Sequence, residues 1–510
     1  MKHSRFLLGA AVSTFVVTTS FAQTPEDMKK ELDALKAQVA ALQADKGVAA
    51  REESVETEVN KLSERLAAAT TVDSGANKVK LTGEFRFRSY LELGDSAGAA
   101  IGAPSGAEKD GWFNDSRVRL GFGYDFSRDV SAYAEVQSDF AFGQNGGPSG
   151  TDSSSSASNN VYLYQAWVKT GNLFGRPEFS AKWGRQELVF GNQFVFGNAD
   201  YYDGISFDGA RYDWNSDSFS LTGMMFRTAT GPGNDANQAP AYGPNASNGD
   251  GHDHDEFYGV YFTLKSIKNA ALDLYWVYVN AHVGTTGDSL GNNVGGPSYF
   301  HVFGGRFGGT ADVASGLDYN IELSYETGDV ANGFNLDAFG AEGEIGVTFS
   351  KDNKFRAWVR ALYLEGPDFS GTTPESGYIA LWPNRHSNSA NFRARYGAAD
   401  VFPMFDIFAL TGGVHFDPAK DWTIGLSGVW GQTASDIQAD LGSPAGEDDT
   451  YGFEIDLWAE YRYSDAMTFS MGVAMILPDD QIDGGSTTYG NASFDGDTAF
   501  LIWAQARLFF

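Results

Sequence analysis

The chain has 510 residues, with 66 acidic against 36 basic side chains and a formal net charge of −30. That balance excludes a nucleic-acid binder, which needs a basic face to neutralise phosphates. The absence of cysteine excludes disulfide scaffolds and thiolate metal sites. With 61 glycines and 14% aromatic residues, the composition suits one large antiparallel sheet with a wet face rather than several soluble domains.

Lys2 and Arg5 precede the apolar run Phe6 to Val17, and Thr18-Thr19-Ser20-Phe21-Ala22 offers a small-x-Ala cleavage site. This pattern predicts a signal peptide over 1–22, because the run is too short to span a bilayer of ~30 Å as a helix. From Glu26 to Ala69 aromatic residues vanish. Met28, Leu32, Leu35, Val39 and Leu42 fall at alternating spacings of four and three, and Val55, Val59, Leu62 and Leu66 repeat the pattern. The seam predicts a helical coiled coil over 24–70, broken near Gly47. It reads either as a stalk that associates through residues 26–69 as a homotrimer, or as a single helix folded on the rest of the chain. Residues 71–78 read as a polar linker.

From 79 to 510 apolar and polar residues alternate. In Val79 to Arg88, Leu81, Phe85 and Phe87 share one face, while Lys80, Thr82, Glu84, Arg86 and Arg88 share the other. Tight links at 127–129, 215–216, 267–269, 351–353, 417–421 and 463–465 separate mostly long polar connections at 94–114, 143–159, 189–203, 229–255, 282–298, 366–406, 433–449 and 478–497. Short and long in turn is the connection pattern of a transmembrane β-barrel. The predicted fold class is therefore an all-β membrane protein, an antiparallel barrel of about 18 strands over 79–510 preceded by an α-helical coiled coil. Its strand boundaries are least defined around 299–349. An even strand count places both barrel ends, and the stalk, in the periplasm, with the barrel in the outer membrane. The run Arg507-Leu508-Phe509-Phe510 alternates to an aromatic, as outer-membrane barrels do. Tyr124, Tyr162, Tyr164, Trp422, Trp430, Tyr451 and Tyr461, near strand ends, are expected to form interfacial girdles.

Alternation sends Lys80, Arg86, Arg88, Arg117 and Arg119 into the lumen, joined by Arg507 where the last strand meets the first, then by Lys182 and Arg185. Acidic inward candidates are Glu135, Asp139, Asp318, Glu322, Glu326, Glu342, Glu344, Glu454, Asp456 and Glu460. A guanidinium sector facing a carboxylate sector sets a field across the pore and suits carboxylate or phosphate groups. The alternative is that such ladders keep the lumen wet and the strands in register. Arg86, Arg88, Arg117 and Arg119 lie on adjacent strands and would repel without a partner or a purpose. Asn384 to Arg395, in the longest connection, forms either an inward constriction or an exposed loop tip.

Lys182-Trp183-Gly184-Arg185-Gln186-Glu187-Leu188 and Phe207-Asp208-Gly209-Ala210-Arg211 resemble the G-R-Q-E-L and F-D-G-x-R stretches of the alginate-export family of outer-membrane porins. In that family a barrel of about 18 strands carries an anionic polysaccharide through an arginine-rich constriction. The resemblance implies that Arg185, Asp208 and Arg211 line the pore, and Glu187 is counted with them. The stalk is a departure from the family's pattern. So is Arg211, which strict alternation places beside Ile205 and Phe207, toward lipid, unless a bulge at Gly209 shifts the register.

Gly251-His252-Asp253-His254-Asp255-Glu256 lacks the full spacing of a calcium loop and reads as acidic decoration, with loop calcium as the alternative. No cofactor is otherwise expected. There is no Gly-rich phosphate loop or nucleophile elbow, so no enzyme is expected. The expected function is passive passage of small hydrophilic, anionic or carbohydrate-like solutes through an arginine-lined outer-membrane channel. The alternative is a tether from the outer membrane to peptidoglycan through the coiled coil, with a plugged or weakly conducting barrel.

Overall fold

After residue 78 the alternation becomes sheet. In a computed structural model the described residues are 70–73, 78–93, 111–142, 161–201, 204–228, 256–287, 293–311, 316–330, 334–350, 352–366, 375–386, 395–435, 450–479 and 498–510. The expected signal peptide, residues 24–69 of the expected coiled coil and residues 251–255 of the acidic run lie outside them. The strands are β1 (Lys78–Leu93), β2 (Gly111–Asp125), β3 (Val130–Phe142), β4 (Val161–Thr170), β5 (Phe179–Gln186) and β6 (Phe207–Asn215). There follow β7 (Phe219–Thr228), β8 (Glu256–Leu264), β9 (Ala270–Gly287), β10 (Asn293–Ala311), β11 (Leu317–Val330) and β12 (Phe334–Thr348). The ring is completed by β13 (Arg356–Leu364), β14 (Ile407–Ala419), β15 (Trp422–Gln432), β16 (Thr450–Arg462), β17 (Met467–Pro478) and β18 (Ala499–Phe509).

Each strand pairs antiparallel with the next, and β18 returns to β1 with Glu84 opposite Phe509 and Arg86 opposite Arg507, so 18 strands close a barrel. Two short strands lie outside the ring among the described residues. Thr70–Asp73 folds back on the start of β1, and Glu375–Ser376 pairs with β12. The connection expected at 282–298 is largely strand, because β9 and β10 run on to Gly287 and from Asn293. Within 299–349 the links are only 312–316 and 331–333.

At the seam Gly83 and Phe510 exchange backbone hydrogen bonds of 2.8 and 3.1 Å. The Phe510 ring lies over Gly83, where any Cβ would collide with it. Gly83→Val should therefore cost ~1–3 kcal/mol of overpacking and lower the temperature at which the folded band converts on a heated gel. An unchanged conversion temperature would remove the seam from the account of stability.

On the outer face Phe85, Leu274, Phe303, Ile321, Leu457 and Met471 are about half exposed. Trp422 stacks on Tyr461 at 4.8 Å, as a girdle pair should. Tyr164 and Tyr451 are instead buried inward, because both serve the lumen. Arg119 lies 4.1 Å over the Tyr164 ring, and the Tyr451 hydroxyl donates to the Asp406 carbonyl at 3.0 Å. Tyr162 also turns inward, to Gln137.

The lumen is not empty. β5 and β6 have only 8 and 9 residues because the chain leaves the wall at Gln186, enters the barrel, and rejoins it at Phe207. The described parts of 375–406, between β13 and β14, also fold inward, so the constriction alternative is the one observed. The two segments join edge to edge. Gly197 N–H donates to the Trp382 carbonyl at 2.7 Å, Trp382 N–H to Val195 at 3.1 Å, and Asn384 N–H to Gln193 at 2.9 Å. Trp382 packs 4.5 Å from Phe257 and 5.0 Å from Phe207, whose rings point in from β8 and β6. A hydrophobic core therefore sits inside the barrel.

Candidate constriction site

The inward positions of β1, β2 and β18 bring Arg86, Arg88, Arg117, Arg119 and Arg507 into one patch. Guanidinium groups this close and this buried require counter-charge. The wall supplies Glu84 and Asp115. Arg88 Nε donates to Asp115 Oδ1 at 2.8 Å, Arg117 Nη2 to Glu84 Oε2 at 2.9 Å, and Arg507 Nε to Glu84 Oε1 at 2.9 Å.

The third carboxylate comes from the inward segment. Asp200 accepts from Arg117 Nη2 at 2.9 Å, from Arg507 Nη2 at 2.8 Å and from Arg119. Its backbone carbonyl accepts from Arg86 at 2.9 Å and Arg117 at 2.7 Å, and that of Tyr201 accepts from Arg86 and Arg88 at 2.7 Å. Burial alone would raise the Asp200 carboxyl; Arg117, Arg119, Arg507 and Arg86 outweigh it and hold it well below the usual carboxylate range. Gly204, at φ 85°, turns the chain away where a side chain would strike the Tyr164 hydroxyl.

The predicted arginine cluster is thus assembled, but Arg117 is 0% exposed. It seats a loop instead of facing open water, which corrects the expectation of a bare guanidinium wall. Glu135 Oε1 stands 3.6 Å from Arg119 Nε, and Asp139 takes the register position opposite Arg117. Glu187, where the segment leaves the wall, accepts from the Tyr164 hydroxyl, and burial raises its carboxyl.

The acidic sector holds the second segment in the same way. Ile379 N–H donates to Glu326 at 2.7 Å and Ala399 N–H to Glu454 at 2.9 Å, while Tyr396 and Arg395 reach Glu342. The His386 ring stacks on Tyr201, centroids 3.6 Å apart, with Nε2 2.9 Å from Asp400 Oδ2. Glu322 accepts from the Tyr275 hydroxyl at 3.2 Å, and Glu344 pairs with Arg356 at 2.7 Å and with Arg360. Asp200, Tyr201 and Trp382 escaped the sequence reading, although Phe194-Val195-Phe196 is an apolar signal inside a nominally polar connection, whereas His386 lies in the Asn384 to Arg395 stretch singled out as a candidate constriction.

Nearer the short-turn rim, Lys80 pairs with Asp125 at 2.7 Å. Lys182 and Arg211 stand directly opposite each other across β5 and β6. Lys182 Nζ lies 4.2 Å over the Trp167 ring, with no carboxylate partner among the described residues. Arg211 lies 5.0 Å over Phe190, its Nε held by Asp213 at 2.7 Å. Arg211 does share a face with Phe207, but that face is the lumen, because Phe207 packs on Trp382. The ladder needs no bulge at Gly209 to put it there.

Arg185 and Asp208 are the correction. They lie three residues from Lys182 and Arg211 on regular strands and so face the opposite way, with Trp183 and Tyr212, which are 37% and 38% exposed. The two form a bidentate pair at 2.8 and 2.7 Å on the outer surface, not in the pore.

A closed 18-strand barrel with an apolar outer face and a polar, loop-filled lumen defines an outer-membrane channel, its outer surface in lipid. The chain belongs to the alginate-export family, which it matches over residues 90–494. Among solved structures it is similar to Pseudomonas aeruginosa OccK1 (OpdK), at 12% identity, TM-score 0.52, over 84% of this chain and 99% of that one. It is also similar to Pseudomonas aeruginosa OccK8 (OprE), at 11% identity, TM-score 0.51, over 85% and 98%. At such identities the likeness is one of fold. No curated protein matches the chain. Family and fold are those of channels rather than enzymes.

Proposed function

We propose that the barrel passes small hydrophilic solutes, anionic or sugar-like, by passive diffusion past a constriction made by the two inward segments. The observation that carries this reading is the Lys182 and Arg211 pair. Both cations face the lumen over aromatic rings, Lys182 has no carboxylate partner among the described residues, and the Arg211 Nη groups carry no hydrogen bond among them. A cation and a forked guanidinium side by side suit a carboxylate, as on an organic acid or an acidic sugar. The Arg86 cluster adds positive potential from behind Asp200.

The test is reversal potential in a planar bilayer under a salt gradient, using the purified full chain. Wild type should prefer anions, and Lys182→Gln with Arg211→Gln should lower the anion-to-cation permeability ratio by about fivefold and weaken block by oligouronates. A cation-selective wild type, or a variant with the wild-type reversal potential and an intact heat-modifiable fold, would refute the reading.

A further inference from the structure

Arg185 and Asp208 belong to a longer feature. In successive ladders Arg185 stands opposite Asp208, Asp208 opposite Arg227, and Arg227 opposite Glu256. The row crosses β5 to β8 on the outer face, on the same side as Trp183, Tyr212, Met225 and Val260, which are all about two-fifths exposed or more. Arg185 also donates to the Leu163 carbonyl at 3.0 Å, Arg227 binds Glu256 at 2.7 Å, and the Tyr258 hydroxyl donates to Glu256 at 2.5 Å.

The depth of this row is unusual. Arg185 is six positions above Phe179 at the start of β5, and Asp208 seven from Asn215 at the end of β6. Across the ring, outward positions stay apolar up to Phe453, nine positions from Arg462 on β16, and Leu477, ten from Met467 on β17. A tilted strand rises about 2.5 Å per residue along the barrel axis, so the apolar band is about 25 Å tall there but only about 15 Å below Arg185. A guanidinium and a carboxylate at that depth are costly against lipid tails. Trp183 and Tyr212 meet edge to face at 6.2 Å just beneath the row, and Met225 is 52% exposed, a composition typical of protein contacts.

We propose that the β6–β7 face is the contact of a two-fold dimer of this chain. The row reads positive, negative, positive, negative, and such a row complements its own reversal. A two-fold axis along the membrane normal, passing between β6 and β7, sets Asp208 against Arg227 of the partner subunit and Arg227 against the partner subunit's Asp208. This is the self-matching patch that a two-fold contact requires. A third copy would need a different second surface. The two convex barrels touch over little more than a hairpin each, so the central pairs and the Met225 and Ala210 region carry the contact.

The chain has no cysteine, so one introduced thiol reports unambiguously. Met225→Cys and Met471→Cys, on opposite walls, start from equal exposures of 52% and 51%. In outer membranes containing the full chain, a short bis-maleimide should link Met225→Cys into dimers at least about tenfold more than Met471→Cys. Adding Arg227→Glu should cut that yield by about tenfold through like-charge apposition, and Arg227→Gln by less. The heat-modifiable monomer should persist in both. Equal yields at the two positions would give the row to lipid, and products with other proteins would give it to a different partner. A trimer ladder would remove the two-fold axis, and an unchanged yield in both Arg227 variants would remove the charge row. Each of these overturns the proposal.

Discussion

Asp200→Ala should raise the unit conductance severalfold and make the current noisier. The Asp200 carboxylate and carbonyl between them engage Arg86, Arg117, Arg119 and Arg507, the last from the strand that closes the ring. Truncating one member of a buried charge network leaves the others uncompensated and costs ~3–5 kcal/mol. Here that cost falls on the docked state of segment 187–206. The segment should then leave the arginine wall for a measurable fraction of time, and the exposed guanidinium groups should raise anion preference as the pore widens. Asp200→Asn keeps an acceptor and should fall between the two. The acid dependence of wild type follows from the same contacts. A carboxyl held below its unfolded value stabilises docking at every pH above that value and loses its contribution only as pH falls through the folded one. The Asp200 contribution to docking should therefore stay constant down to about pH 4, near the ordinary Asp value. Single-channel records of wild type and Asp200→Ala decide the matter, and equal conductances would mean that Asp200 does not hold the constriction.

Trp382→Ala should open the pore by a different route. Trp382 is 3% exposed, stacks on Phe196 at 5.4 Å, and touches Phe257 and Phe207 from the wall. Removing so large a buried ring costs ~3–5 kcal/mol, and at this position the loss falls on the join between the two inward segments. No charge is changed, so conductance should rise and its distribution broaden while the reversal potential stays at the wild-type value. That combination separates this variant from Asp200→Ala. A Trp382→Ala channel with wild-type conductance would show that the join contributes nothing to closing the lumen.

The wall of this protein was legible from alternation, because a barrel strand must sort its side chains between lipid and lumen at a period of two. Most turns and the inward set Arg86, Arg88, Arg117, Arg119 and Arg507 follow from that sorting. What covers them does not. Asp200 reaches the arginines from a connection with no period of its own, and its distance in sequence from Arg86 and Arg507 carries no pattern. Two misplacements had a signal that could have been used. Lys182 and Arg185 cannot share a face of a regular strand, nor can Asp208 and Arg211, so the family motif's arginine had to be outside once Lys182 was inside. The third signal was apolarity on both faces: Met224-Met225-Phe226 and Trp276-Val277-Tyr278-Val279 leave no polar side for water. Such strands need packing inside the barrel as well as lipid outside it.

The seat of Asp200 is built from β1, β2 and β18, the strands at the two ends of the sheet. In a sheet still growing strand by strand, that seat is not yet there, and segment 187–206 has nowhere to rest. Ring closure and loop docking are therefore thermodynamically linked, each adding to the stability of the other. The segment works as a latch on the barrel's own join: whatever lifts it must also loosen the join, and a join strained from outside must also let more current through.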